Sequence, residues 1–305
     1  MNTFKATSTF FKFFSLLSVV RGYNILILVI AQYLAAIFIF SPSASLKEVL
    51  FDLHLLYLVL ATTFVVAAGY IINNFYDVKV DRINRPVKTG IDSYIKQETK
   101  LSLYFTLNFL GFGLGFLVSI KAALFFALYI FGIWLYSHKL KKHAVVGVIS
   151  ATVLTILPFF VVFVHFKNFS SSIFVHATFL FLLIMVRELI KDLQNLKGLI
   201  ANDYKKFPVV YGEKKTKQFC IFLLCCTVVP SYILFQYVNL EYMTYYFIAA
   251  LVTLVFVGIL LWKAKETKQY IFVHNVLKIL LVIGVFFLVF LDTSLLIEKV
   301  INTLK

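Results

Sequence analysis

Nine apolar runs divide this chain, near 23–40, 54–76, 102–120, 122–137, 144–165, 171–190, 218–238, 243–262 and 271–291. Each is at or near the roughly 20 residues that carry a helix across the hydrocarbon of a bilayer. The pattern predicts an all-α membrane bundle of nine transmembrane helices. Composition agrees: 61% of the residues are hydrophobic and only 14% charged, where a soluble domain is about half apolar and a quarter charged. Lipid, rather than water, is the main solvent of such a chain. Little more than Ser119-Ile120-Lys121 separates the third and fourth runs, which predicts a tight hairpin.

The breaks between the runs fix an orientation. The chain carries a net charge of +15, which in a soluble protein would suggest nucleic acid as a partner. Here the cations alternate with the spans instead. Segments 1–22, 77–101, 138–143, 187–217 and 263–270 hold 23 Lys and Arg residues, while the opposite side holds 5, Lys47, Lys121, Lys167, Lys299 and Lys305. Cytoplasmic loops carry the excess of Lys and Arg. The expectation is therefore a cytoplasmic N-terminus, nine crossings and a C-terminus outside, with no nucleic-acid partner. The first 22 residues mix Phe4, Phe10, Phe11, Phe13 and Phe14 with Lys5 and Lys12. They predict an amphipathic helix lying in the interface rather than a cleaved signal peptide. Cys220, Cys225 and Cys226 lie in one apolar run without metal-ligand spacing and are expected as buried hydrophobes.

Chemistry concentrates at two places. The first is Asn73-Asn74-Phe75-Tyr76-Asp77-Val78-Lys79-Val80-Asp81-Arg82-Ile83-Asn84-Arg85-Pro86, at the end of the second run. Asn73, Asp77 and Asp81 are four residues apart, so on a helix they stack on one face over about 12 Å. The second is Arg187-Glu188-Leu189-Ile190-Lys191-Asp192-Leu193-Gln194-Asn195, at the end of the sixth run. Glu188, Asp192 and Asn195 share a face there, Arg187 and Lys191 form a cationic edge beside it, and Gly198 reads as a helix stop. Four spans separate the two clusters, so both ends point the same way and can share one cavity.

Acids at the mouth of a membrane helix are costly unless they hold a metal, a proton or a cation. Acids mixed with Arg and Lys suit a magnesium-bound diphosphate. The carboxylates take the metal, and the cations take the remaining phosphate oxygens. Inside the last run, His274 and Lys278 stand one turn apart. An intramembrane Lys is a candidate site residue, against the plainer reading of a side chain that snorkels to the surface. His54, His138, His143, His165 and His176 are scattered and suggest no site.

The stretch Ala68–Pro86 resembles the first aspartate motif of the UbiA-type intramembrane prenyltransferases, in its spacing and in the Asn84-Arg85-Pro86 that follows. Arg21-Gly22-Tyr23-Asn24 and Tyr136-Ser137 are also similar to that family. Arg187–Asp192 is most similar to the branch that prenylates geranylgeranylglyceryl phosphate. The resemblance implies nine helices around a lipid-open cavity in a single domain over 1–305, Mg²⁺ as cofactor, and transfer from a prenyl diphosphate to a lipophilic acceptor within membrane lipid. It implies a bacterial inner (plasma) membrane as host. Asp77, Asp81 and Asp192 are the expected catalytic residues, and with Glu188 the expected metal ligands. Asn73, Asn74, Arg82, Arg85, Arg187, Glu188, Lys191, Asn195 and Lys278 are the expected substrate-binding residues.

The second cluster departs from the family pattern, which places acids where this chain has Asn195 and Leu199. Asp203 lies four residues further on. Two other readings stay open on the residues alone: a homologue that binds prenyl diphosphate without turning it over, and a secondary transporter.

Overall fold

The computed structural model describes residues 8–237 and 242–291. The cations Lys5, Lys299 and Lys305, and the C-terminal segment expected outside, lie beyond the described residues. Among the described residues, nine helices are long and apolar enough to cross a membrane, and they coincide with the nine expected runs.

Helix α1 (Ser8–Val20) exposes Phe11, Phe13, Phe14 and Leu17 and buries Ser15 and Val19. It ends at Arg21, which takes the left-handed backbone conformation (φ 52°), and α2 (Gly22–Ala35) starts at once, closing in a π turn at Ala36–Phe40. A short α3 (Leu46–Leu50) is fixed by a reciprocal cap. The Ser45 hydroxyl accepts from the Glu48 N–H, and the Ser45 N–H donates to the Glu48 carboxylate at 2.7 Å. Asp52 then caps α4 (Leu53–Asn84) and pairs with His165 at 2.8 Å.

Helix α4 is the longest element. Its 32 residues extend about 48 Å at 1.5 Å each, well past a hydrocarbon core of about 30 Å. The segment 77–101, read from sequence as a loop, is therefore helical through Asn84. The helix stops where Pro86 disfavours helical geometry in the residue before it. Arg85 is accordingly non-helical (φ −144°, ψ 61°), and Pro86 opens α5 (Pro86–Asp92). Helices α6 (Gln97–Val118) and α7 (Ile120–His138) form the expected hairpin on the single extended residue Ser119. The backbones of α4 and α6 approach closely at Gly111, where a Cβ would stand 3.1 Å from the Ala61 carbonyl oxygen.

Helix α8 (Ala144–Phe166) carries Pro158 in its interior. A proline supplies no N–H to the carbonyl four residues earlier, and lipid offers no water to replace it. The neighbouring helices correct the loss. The Tyr129 hydroxyl of α7 donates to the freed Leu154 carbonyl at 3.0 Å, and the Gln32 amide of α2 donates to the Pro158 carbonyl at 2.7 Å.

Helix α9 (Ser171–Gln194) continues past the membrane like α4. It breaks at Asn195, and α10 (Leu196–Ala201) follows, so Gly198 sits inside a helix and not at its stop. The reason Gly198 is glycine is contact: a Cβ there would meet the Val80 carbonyl at 2.8 Å and the Asn84 side chain. Lys205–Lys206 forms a short parallel bridge with His143 and Ala144. The remaining helices are α11 (Phe207–Cys226), kinked at Gly212 (φ 83°), α12 (Val228–Tyr237), α13 (Met243–Lys263) and α14 (Thr267–Phe287).

Two apolar cores hold the bundle. One joins α2, α4, α6, α7 and α8, and the other joins α9, α11, α13 and α14. Cys220 is buried in the second, as expected, but Cys225 is exposed. Phe105, Phe109 and Phe116 of α6 and Leu124, Leu128 and Phe131 of α7 point outward, which suits contact with lipid chains. Replacing Tyr129 by Phe leaves the Leu154 carbonyl without its donor. We expect a loss of about 1 kcal/mol, read as a lower thermal midpoint in detergent. An unchanged midpoint would show that the carbonyl finds another partner.

Candidate active site

A cavity of about 380 Å³ opens between the two cores. Its inner wall is apolar, with Ile27, Val66, Leu154, Phe159, Leu180 and Leu281 among the lining side chains. Its mouth is charged. Asn73, Asp77 and Asp81 come from one face of α4, and Arg85 from the residue after it. Arg187, Glu188, Lys191 and Asp192 come from α9, Asn195 from its end and Lys278 from α14. Residues more than a hundred positions apart thus meet in one chamber.

Two expected residues are not brought there. Asn74 and Arg82 each follow a cavity residue by one position, which turns them about 100° around the helix. Arg82 is exposed. Asn74 faces α5 and α6 instead. Its amide donates to Asp92 at 2.8 Å, and its carbonyl oxygen accepts from Lys100 at 3.0 Å. Asp92 also accepts from Ser18 (2.7 Å) and Lys88 (2.6 Å), so this buried carboxylate ties α1, α4 and α5 together. Asp203 is exposed in a left-handed turn and does not line the cavity.

Several cavity residues escaped sequence reasoning. Lys141 and Lys206 are buried, and each meets an acid: Lys141 lies 2.7 Å from Asp77, and Lys206 lies 3.2 Å from Asp192. Both had counted only as orientation charges, because nothing in their local spacing points to acids 64 and 14 positions earlier. Arg21, quoted in the family likeness but given no role, lines the cavity and stacks over the Tyr70 ring at 5.0 Å. Tyr204 also lines it and donates to Asp77 at 3.4 Å. Asn84 staples the walls together. Its side chain donates to the Asn195 carbonyl at 3.0 Å and accepts from the Gly198 N–H at 3.1 Å. The Asn84-Arg85-Pro86 triplet was the available signal for it.

The electrostatics are those of a cationic chamber. Four carboxylates and seven Lys or Arg side chains line it, an excess of three positive charges. Glu188 accepts from Lys191 at 2.7 Å and from Arg187 at 3.4 Å. Burial lowers the Lys141 pKa from its ordinary value, although Asp77 pulls the other way. Burial also opposes the charge on Lys206, but Asp192 foremost among its neighbours outweighs that penalty and pushes its pKa up. Asp81 has no salt bridge among the described residues. The Asn195 side-chain oxygen and the Arg187 Nε are buried without a hydrogen-bond partner, atoms that a polar ligand would satisfy.

Lys278 does not snorkel away from the bundle. It lines the cavity, with its ammonium 4.7 Å from the Tyr23 ring centroid. It also lines a second cavity of about 360 Å³, together with Arg21, Arg85, Lys88, Arg187 and Lys191, with Glu188 as the single acid.

Among the described residues no group of three His, Cys, Asp or Glu side chains is close enough to hold a metal ion by itself. The α4 wall nevertheless fits a hard divalent cation in part. Asp77 and Asp81 stand one turn apart, offer only oxygen, and include the carboxylate free of any salt bridge. A ligand's phosphate oxygens would complete such a site.

A bundle of membrane-spanning helices whose cationic mouth leads to an apolar chamber is a layout suited to an enzyme that handles an anionic headgroup on a hydrocarbon tail. The sequence matches the model of the UbiA prenyltransferase family over residues 29–282. The chain belongs to that family and is an integral-membrane prenyltransferase. It is 28% identical over 262 residues to a digeranylgeranylglyceryl phosphate synthase of Methanobrevibacter smithii, covering 82% of this chain and 88% of the relative. A second synthase of that name, from Methanosphaera stadtmanae, is 30% identical over 195 residues, covering 62% and 69%. Among solved structures, a digeranylgeranylglyceryl phosphate synthase superposes with a TM-score of 0.68 at 24% identity, covering 93% of this chain and 99% of its own. A UbiA homologue from Archaeoglobus fulgidus bound to GPP and Mg²⁺ gives 0.64 at 15% identity, covering 90% and 99%. Family membership sets the transporter reading aside.

The phase of α4 makes a direct prediction. Asn74→Ala should lower the thermal midpoint, by about 1–3 kcal/mol of stability, with the KM for prenyl donor unchanged. Steady-state kinetics beside a melting curve check this, and a large rise in KM with normal stability would return Asn74 to the site.

Proposed function

We propose that this protein joins a prenyl group to the free hydroxyl of a prenylglyceryl phosphate, forming an ether lipid of the digeranylgeranylglyceryl phosphate type. One observation carries the reading: a mouth with three surplus positive charges opens onto an apolar chamber, which suits a trianionic headgroup on a hydrocarbon tail. Two archaeal relatives bear the synthase's name over most of their length. A second cavity adjoins the first and shares Arg21, Arg85, Arg187, Lys191 and Lys278 with it, so an acceptor phosphate there would draw on the same cations as the diphosphate.

In this reading Asp77 and Asp81, with Asn73 beside them, would hold Mg²⁺, and the ion would supply charge neutralisation of the diphosphate leaving group. Arg85, Arg187 and Lys191 take phosphate oxygens through charge-assisted hydrogen bonds. Glu188 orients Arg187 and Lys191, Asp192 pairs with Lys206, and the Asn195 oxygen accepts from a hydroxyl. Carbon–oxygen cleavage leaves the diphosphate with the bonding pair. The acceptor hydroxyl oxygen then closes on the prenyl carbon, and its proton passes to the departing diphosphate. Tyr70, Tyr129, Tyr136 and Phe159 line the cavity and present ring faces to the developing allylic cation, while the apolar wall keeps water away.

The test is purified protein with Mg²⁺, labelled geranylgeranyl diphosphate and a panel of acceptors. The wild type should release diphosphate and label the glyceryl phosphate lipid in preference to phenolic acceptors. Asp77→Asn should cost about 100-fold or more in kcat with folding intact. Saturable donor binding without diphosphate release would instead support a catalytically silent homologue, the reading that Asn195 and Leu199 favour.

For topology, the Lys and Arg bias of 23 to 5 supports a cytoplasmic N-terminus and an outer C-terminus. The exposed Phe11, Phe13, Phe14 and Leu17, with the Ser18 hydrogen bond to Asp92, support α1 as an interfacial helix of the same single domain. The sequence likeness suggested a bacterium as host, whereas the synthases named above are archaeal. The proposal is therefore a plasma membrane with the charged mouth on its cytoplasmic side. Reporter fusions at 139 and 168 should read inside and outside respectively, and the reverse pattern would refute this.

A further inference from the structure

The two walls of the mouth are not chemically equivalent. On the α4 wall, Asp81 has no salt bridge among the described residues, and Asp77 shares its charge with Lys141. On the α9 wall, both acids already have a cation within 4 Å, although Asp192 Oδ2 accepts no hydrogen bond. Glu188 is held by Lys191 and Arg187, and Asp192 by Lys206, with the Asp192 and Lys206 side chains only 6% and 8% exposed. The chain also lacks further acids on that side, since Asn195 and Leu199 line the cavity where carboxylates could have stood.

Lys206 is fixed in place by backbone. It pairs in a parallel bridge with Ala144, and Phe207–Pro208 begin α11 immediately after it. A long flexible cation is thereby confined at the mouth, where its departure would leave Asp192 buried and uncompensated.

Resting on the prenyl-diphosphate reading above, we propose that Lys206 is the resident counter-ion of the α9 wall, so that the donor complex takes up a single divalent ion, on Asp77 and Asp81. The lysine ammonium does there, permanently, what a second metal would do on binding: it neutralises Asp192 and presents positive charge to the diphosphate. Counting charges gives the same answer. With three surplus positive charges in the lining, a trianionic headgroup is balanced before any metal enters. Cleavage adds one negative charge to the diphosphate, which a single divalent ion more than offsets, and a second ion would add two further positive charges with no anion to meet them. Metal-free binding of the donor follows as a consequence.

The experiment titrates Mn²⁺ into detergent-solubilised full-length protein saturated with geranylgeranyl thiolodiphosphate, an analogue that resists ionisation. Free Mn²⁺ is counted by electron paramagnetic resonance, and analogue affinity is measured with and without metal. The wild type should bind one Mn²⁺ per chain, and Asp81→Asn should remove it. Lys206→Arg should keep the count at one. Lys206→Ser should weaken metal-free binding of the analogue about 10-fold or more and admit a second, weaker Mn²⁺. Two ions per wild-type chain would overturn the proposal while leaving the prenyl-diphosphate reading intact. So would an unchanged metal-free affinity in folded Lys206→Ser. Absence of analogue binding with and without Mn²⁺ would take down both. If Lys206→Ser does not fold, the wild-type count and the Lys206→Arg count decide the matter.

Discussion

Carboxylates at the edge of a membrane must be paid for with positive charge, and that requirement organises this protein. In a medium of low dielectric, an uncompensated acid loses more in solvation than any packing can return. Three of the four acids at the cavity mouth therefore have a cation within 4 Å: Asp77 has Lys141, Glu188 has Lys191 and Arg187, and Asp192 has Lys206. Glu188 finds its partners on its own helix, whereas Lys141 and Lys206 come from segments 64 and 14 positions further along the chain than their acids. Bringing them together forces α7, α8 and α11 to deliver their cytoplasmic ends to the same place as α4 and α9. The site and the topology of the bundle are in this sense one solution to one electrostatic problem.

The same constraint acts deeper in the membrane, with hydrogen bonds in place of charges. Pro158 frees a carbonyl that lipid cannot satisfy, and Tyr129 from another helix supplies the donor. Gln32 supplies another at Pro158 itself. A break in one helix thus becomes a tie between three. Close contacts such as Gly111 against Ala61 complete the packing by letting backbones approach. In the cavity wall the Leu154 and Pro158 carbonyls are thereby turned to neighbouring side chains and away from lipid.

Much of this was legible in the sequence, and the reasons differ by element. The nine spans were readable because length and apolarity are local properties. The shared cavity of Asp77 and Asp192 was readable because helical phase and an even number of crossings are arithmetic. Extents were harder. The segments 77–101 and 187–217 looked like loops because their residues are polar, yet α4 runs on to Asn84 and α9 to Gln194. Helix propensity does not require burial, so polarity alone could not mark the ends. Phase errors of one residue explain Asn74 and Arg82, which adjoin cavity residues in sequence and face elsewhere in space. Lys141 and Lys206 were hidden for a different reason. A lysine that orients a loop and a lysine that guards a buried acid look identical until the partner acid is located.

Asn84 deserves a last consequence. Its side-chain amide reads the backbone beyond α9 in both directions, taking the Gly198 N–H and giving to the Asn195 carbonyl. Glycine at 198 lets α4 and α10 touch without an intervening side chain. The gap across the mouth is consequently gauged by one short side chain pinned at both ends to main chain. A headgroup arriving there meets a caliper already set, so little of its binding energy is spent on narrowing the jaws.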